Sequence, residues 1–111
     1  MAGFGAPTLW SNKPFYGTLA TMVADVTGDR KADLVALNSG STFVMTSTGS
    51  AFGAPALWSG TPFYGQQTTV PGDATGDGKA DLVAINNTSV WAQPSTGSGF
   101  SSPALWLSGA P

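Results

Sequence analysis

The side chains able to do chemistry are few, and they are clustered. All six acidic residues are Asp, at Asp25, Asp29, Asp33 and at Asp73, Asp77, Asp81. Arg30, Lys31 and Lys79 lie among them, so that nine of the ten charges of the chain fall in two nine-residue segments. Three carboxylates ~5 Å apart in one loop repel by about 3 kcal/mol per pair at an effective dielectric of ~20, so a loop of this kind needs compensation. The pattern Asp-x-Thr-Gly-Asp-x-Lys-x-Asp offers side-chain oxygens from Asp25, Thr27, Asp29, Asp33 and from Asp73, Thr75, Asp77, Asp81. The backbone carbonyls of Lys31 and Lys79 are available at the seventh position. This is a donor set for a hard cation such as calcium.

The nine positions resemble the first part of an EF-hand loop. Position 12, however, is Ala36 or Ala84 where a bidentate Glu would stand, and both flanks read as strands, which excludes a true EF-hand. A second reading needs no ion: the Asp residues make Asx-turns in a strand-to-strand loop, neutralised by Lys31, Lys79 and backbone donors. The loops differ at one place, Arg30 against Gly78. Glycine accepts the positive φ of a sharp turn and Arg adds a competing charge, so tighter calcium binding is expected in the second loop.

Much other chemistry is closed to this chain. Its 111 residues contain no His and no Cys, which removes His- and Cys-based zinc sites, Ser/His/Asp and Cys/His nucleophiles, and disulfides. General acid–base work would fall to Asp alone, and every Asp is committed to a loop, so no enzyme is expected. A net charge of -2 lacks the basic footprint that phosphate backbones need, so nucleic acid is not an expected partner. No apolar run approaches the ~20 residues of a membrane span, and no export signal or membrane insertion is expected.

Binding a neutral sugar is still open. It requires an aromatic face for the C–H side of the ring and amides or hydroxyls for its OH groups. The candidates are Trp10, Tyr16, Trp58, Tyr64 and Trp106, with Asn38 and Asn86. The Trp10, Trp58, Trp106 series, recurring at one position of the repeat, is more readily read as filling the space between packed sheets than as meeting solvent. Tyr16 and Tyr64, flanked by Pro and Gly, are expected to be exposed.

The elements that must position these residues follow from an internal repeat. Residues 4–51 and 52–99 are identical at 28 of 48 positions, and Trp10, Trp58 and Trp106 keep the same step of 48. The chain divides into a first repeat at 3–50, a second at 51–98 and a partial third at 99–111. Short apolar or alternating stretches at 18–24, 31–37, 42–46 and 54–58, separated by Gly, Asn, Ser and Pro, read as strands. With 15 Gly and 8 Pro, little or no helix is expected. Four strands in a period of about 40–50 residues describe a β-propeller blade.

The fold expected is therefore all-β: two four-stranded blades plus one extra outer strand from residues 3–11. Two blades cannot close a ring and would leave two apolar sheet faces bare. Self-assembly is expected, and a closed homo-oligomer of two-blade chains has an even number of blades, six in a trimer or eight in a tetramer. The extra strand would exchange with a neighbouring chain or replace that chain's own outer strand.

The run from Val23 through Asp25, Thr27, Gly28, Asp29 and Asp33 to Val35, followed by Phe52-Gly53, resembles the FG-GAP or VCBS type of propeller repeat. It is also similar to the Psathyrella velutina lectin type of such repeats. The resemblance implies integrin-α-like blades, an extracellular setting, and calcium held by the acidic loop between the first two strands of each blade. It also implies sugar pockets between adjacent blades, built with a Gly-Trp-Arg stretch and a His. Here Phe15-Tyr16-Gly17 and Phe63-Tyr64-Gly65 stand near that point without either. The resulting expectation is a multivalent, lectin-like ring. The alternatives are a calcium-stabilised scaffold or protein-interaction module, and a two-repeat excerpt, natural or engineered, whose main property is assembly.

Overall fold

The computed structural model describes residues 6, 9–12 and 15–108. Among them are eight strands: β1 Ala20–Ala24, β2 Asp33–Leu37, β3 Thr42–Met45, β4 Ala56–Ser59, β5 Thr68–Gly72, β6 Asp81–Ile85, β7 Ser89–Gln93 and β8 Ala104–Ser108. They form two antiparallel four-stranded sheets in simple order, β1-β2-β3-β4 and β5-β6-β7-β8. No helix occurs among the described residues. The architecture is all-β, as the alternating patterns and the density of Gly and Pro require.

The sheets are two copies of one blade. In each, the outermost pair slips register at the same place, between Thr42 and Phe43 and between Val90 and Trp91. The blades are offset from the sequence repeats: β4 comes from the opening of the second repeat and β8 from the opening of the third. The extra outer strand expected at residues 3–11 lies mostly outside the described residues, and residues 9–12 form no strand.

The blades pack face to face, with β1 beside β5. Val26, Val35, Val44 and Trp58 of the first blade and Phe63, Leu82 and Ala84 of the second make one buried cluster. Polar contacts repeat this seam. The Ala80 N–H donates to the Asp25 carbonyl over 2.7 Å, and the Ser95 hydroxyl donates to the Val26 carbonyl. The Phe100 N–H donates to the Trp58 carbonyl over 3.1 Å, and the two rings lie 5.3 Å apart. Outside the seam, Val23, Leu57, Leu105, Trp106 and Leu107 are exposed.

Candidate functional site

The acidic loops join β1 to β2 and β5 to β6, so each is anchored by a strand at both ends. Asp33 and Asp81 begin β2 and β6 and are fully buried. Asp81 accepts from the N–H groups of Ala74 and Thr75 and the Thr75 hydroxyl through one oxygen, and from the Ser95 N–H at 2.7 Å through the other. Asp33 does the same for Val26, Thr27 and Ser47. These carboxylates thus tie the acidic loop to the turn that follows β3 or β7. Sequence reasoning missed that role; the invariance of Ser47 and Ser95 across the repeat was its only trace.

Asp25 and Asp73 close the loops on themselves. Asp25 accepts from the N–H groups of Gly28, Asp29 and Arg30, and Asp73 from Gly76, Asp77 and Gly78. Slight desolvation pushes the Asp25 carboxyl up, but the Gly28 and Arg30 N–H groups, the Thr27 hydroxyl and the Asp29 N–H outweigh it and hold it below the usual carboxylate range. At Asp73 the Gly78 N–H acts first in the same direction, joined by Gly76 and Asp77. Asp29 and Asp77 accept from the backbone of Lys31 and Lys79, whose ammonium groups stand 3.9 Å from the same carboxylates. The turns that fold the loop are those of the ion-free reading.

The loops nevertheless differ. Each of Asp73, Asp77 and Asp81 offers a carboxylate oxygen within 4.8 Å of the other two, and among the described residues this is the one such trio. Three converging oxygen donors fit a hard cation. Arg30 takes a left-handed φ of 68° where Gly78 has 85°, so the first loop carries a side chain in a conformation that costs a non-glycine residue about 1–2 kcal/mol.

The aromatic and amide candidates separate into distinct settings. Trp58 is 9% exposed and fills the seam against Phe100, and Trp10 packs on Phe52 with rings 5.2 Å apart. Trp106, their counterpart on β8, is 51% exposed. Asn38 and Asn86 brace turns: their oxygens accept from the Thr18 and Gln66 N–H groups, and their amides reach Ser41 and Ser89. Tyr16 and Tyr64 are exposed, at 73% and 49%.

Tyr64 borders two concavities. One, of about 250 Å³, lies between the blades, with Leu19, Ala20 and Leu37 on one side and Gly65, Gln67, Thr68 and Thr69 on the other. The second, of about 200 Å³, is lined by Pro62, Phe63, Asn86, Trp91 and Pro103. The structure therefore brings Tyr64 and Asn86 together but leaves Asn38, Trp10 and Trp106 elsewhere. Gln67 and Thr69 were not foreseen. Gln67 replaces Leu19 of the first repeat, and its amide is held by the Asn87 side chain.

Tandem four-stranded blades, each with an acidic loop between its first two strands, define a protein of propeller-repeat class. An FG-GAP-like repeat family matches residues 25–84, more than half of the chain, and the protein belongs to that family. No curated protein matches it. Among the described residues no helix is long and apolar enough to cross a membrane.

Proposed function

We propose that this chain is a non-enzymatic carbohydrate-binding unit, working outside the cell as two blades of a ring that further copies of the chain complete. The observation that carries the reading is the inter-blade pocket of about 250 Å³ at Tyr64. It is smaller than the ~300–1,000 Å³ typical of drug-sized ligands, which suits one sugar ring. Tyr64 offers an aromatic face, and Gln67, Thr68 and Thr69 offer amide and hydroxyl groups. The similarity to the Psathyrella velutina lectin type supports the same substrate class, although its Trp-Arg and His are replaced here. A ring would repeat the pocket at each like seam and gain avidity without new contacts.

Calcium is part of the proposal, held by Asp73, Asp77 and Asp81, with Thr75 and the Lys79 carbonyl within the same loop. Its chemistry there is neutralisation of converging carboxylates and stiffening of the turn. Asp25, Thr27, Asp29, Lys31 and Asp33 form the weaker counterpart, in keeping with Arg30 at the turn. That convergence equally favours a second reading, a calcium-stiffened scaffold for protein partners. A glycan array in calcium buffer separates the two. Selective binding that Tyr64→Ala abolishes supports the lectin reading; a blank from a correctly assembled sample leaves the scaffold. Calcium-dependent melting does not discriminate, since both readings require it.

A further inference from the structure

The seam inside the chain supplies a template for the seam between copies. Shifting each residue of the internal seam by 48 positions gives its counterpart on the two outer sides of the blade pair, and three substitutions along that shift change together. Inside the chain, Ser59 and its register partner Thr42 belong to the first blade, and the Ser59 hydroxyl accepts from the buried Gln93 amide of the second blade at 3.0 Å. The corresponding residues are Leu107, half-exposed, with its register partner Val90 on the second blade, and Met45 on the first blade, which is buried within this chain. A polar trio, Ser59, Thr42 and Gln93, is thus replaced by an apolar one, Leu107, Val90 and Met45. Random drift would leave mixed pairs, burying an amide against a leucine; here both members of the pair change sign together.

The seat on the first blade is held in this structure by the chain's own residues 9–12. The Phe52 N–H donates to the Trp10 carbonyl over 3.2 Å, mirroring the bond from Phe100 to Trp58. The occupant is a poor match. It forms no strand, Leu9 is 78% exposed, and a cavity of about 310 Å³ opens between residues 9–12 and Phe52, Gly53 and Ala54. By the 48-residue shift Ser11 corresponds to Ser59 and Leu107, so residues 9–12 lack the leucine that β8 carries. By contrast β8 is already paired to β7, so its backbone is ordered before it docks, and it presents Trp106 and Leu107 half-exposed.

We propose that the seat at Met45 and Phe52 is the docking site for β8 of a second copy of this chain, Leu107 against Met45 and Trp106 against Phe52, in exchange for residues 9–12. The other contacts of the internal seam carry over. The Ala32 N–H meets the Asp73 carbonyl of the second copy, and the Ser47 hydroxyl meets its Ala74 carbonyl. The contact is head-to-tail, and it closes a ring when the rotation between blades closes. The polar–apolar exchange sets the order: Leu107 on Gln93 would bury an unpaired amide, so β8 joins the first blade of a neighbour and not the second. This rests on the ring-completion part of the proposed function and adds the residues that perform it.

The test is sedimentation velocity of the full-length chain over a concentration series, with three single substitutions. Leu107→Ser is expected to raise the concentration of half-assembly by on the order of tenfold or more, the worth of one buried leucine. Ser11→Leu is expected to act in the same direction by making the intramolecular occupant as good as β8. Leu105→Ser removes the same half-exposed side chain from the same strand, but its register partner is Trp91, which packs against the internal seam's cluster and not on the outward face, and assembly is expected to be unchanged. Far-UV circular dichroism and tryptophan fluorescence confirm folding; all three positions lie at or near the surface. Assembly that responds equally to Leu107→Ser and Leu105→Ser, or ignores both, overturns the seat while leaving ring completion standing. A wild-type chain that stays monomeric throughout overturns both, and leaves the sugar reading to the glycan array.

Discussion

Replacing Asp81 by Ala separates what the buried carboxylate does as a hydrogen-bond acceptor from what it does as a cation ligand. Asp81 is fully buried and receives the N–H groups of Ala74, Thr75 and Ser95 and one hydroxyl. An acceptor lost beside a buried donor costs about 1–3 kcal/mol per donor, and hydrogen bonds to charged groups lie at the upper end. The Ser95 N–H is enclosed and bears the full cost, whereas Ala74 and Thr75 are only partly buried and turn toward water. Relief of the carboxylate's own desolvation offsets part of this. The net loss is expected to be about 2–4 kcal/mol, a large share of the ~5–15 kcal/mol of a typical domain. Asp81→Asn keeps one acceptor oxygen and is expected to lose about half as much.

The comparison variant is Asp77→Ala, whose exposed carboxylate receives the Lys79 N–H and a 3.9 Å ion pair. Such surface pairs contribute about 0–1 kcal/mol. Urea unfolding followed by tryptophan fluorescence, at one protein concentration because assembly couples to stability, gives both values in EDTA and again in calcium. In EDTA, Asp81→Ala is expected to be far less stable and Asp77→Ala near wild type. In calcium, wild type gains and Asp77→Ala gains less. Equal losses from the two variants in EDTA refute the acceptor argument. A wild type indifferent to calcium refutes the metal reading and leaves the turns as the loop's whole function.

Three further outcomes follow from the same geometry. Because Asp25 and Asp73 are held below the ordinary carboxylate value of 3.8, their contribution is complete above that unfolded-state value and is lost as pH falls through the lower folded one. Urea midpoints are therefore expected to be level from about pH 7 to 5 and to drop below about pH 4, with Asp25→Asn and Asp73→Asn variants showing a shallower drop. Arg30→Gly places glycine at a φ of 68° and is expected to stabilise by about 0.5–1 kcal/mol, the left-handed strain relieved less the backbone entropy of glycine. Calorimetry should find the calcium affinity of the first loop raised toward that of the second. Gly65→Ala drives a Cβ into the backbone of Thr68 and Ile85 and is expected to cost about 1–3 kcal/mol in thermal or urea unfolding, as overpacking does; an unchanged midpoint would show that the turn after Tyr64 yields.

The repeat made the fold readable, since 48-residue self-similarity and short alternating runs leave few architectures besides tandem four-stranded blades. Strand ends were less so. The fourth strand begins at Ala56 and not at residue 54, because Phe52 is spent on an isolated bridge to Ser47 and on the seam bond to Trp10. The acidic loops were visible from charge alone. What the sequence hid was division of labour within them: Asp33 and Asp81 look like Asp25 and Asp73, yet only the tertiary turn at Ser47 or Ser95 buries them. The inter-blade pocket was hidden for a similar reason. Its residues come from two stretches far apart in sequence, Leu19 to Leu37 and Tyr64 to Thr69, and none but Tyr64 has a side chain that announces a ligand.

Departures from the repeat carry as much information as its identities. Two identical blades would make every seam alike, so that a chain could pair its β8 with either blade of a neighbour, and assembly would have no fixed order. In the proposed ring the exchange of Ser59, Thr42 and Gln93 for Leu107, Val90 and Met45 would break that degeneracy at the cost of one buried amide in the inner seam, where Gln93 Oε1 and the Thr42 hydroxyl have no partner among the described residues. A polar seam that forms within one chain is affordable because its two sides are tethered and pay little to meet. In the proposed ring, the seam between copies would also have to overcome the loss of translational freedom, and the apolar residues are those that would stand there.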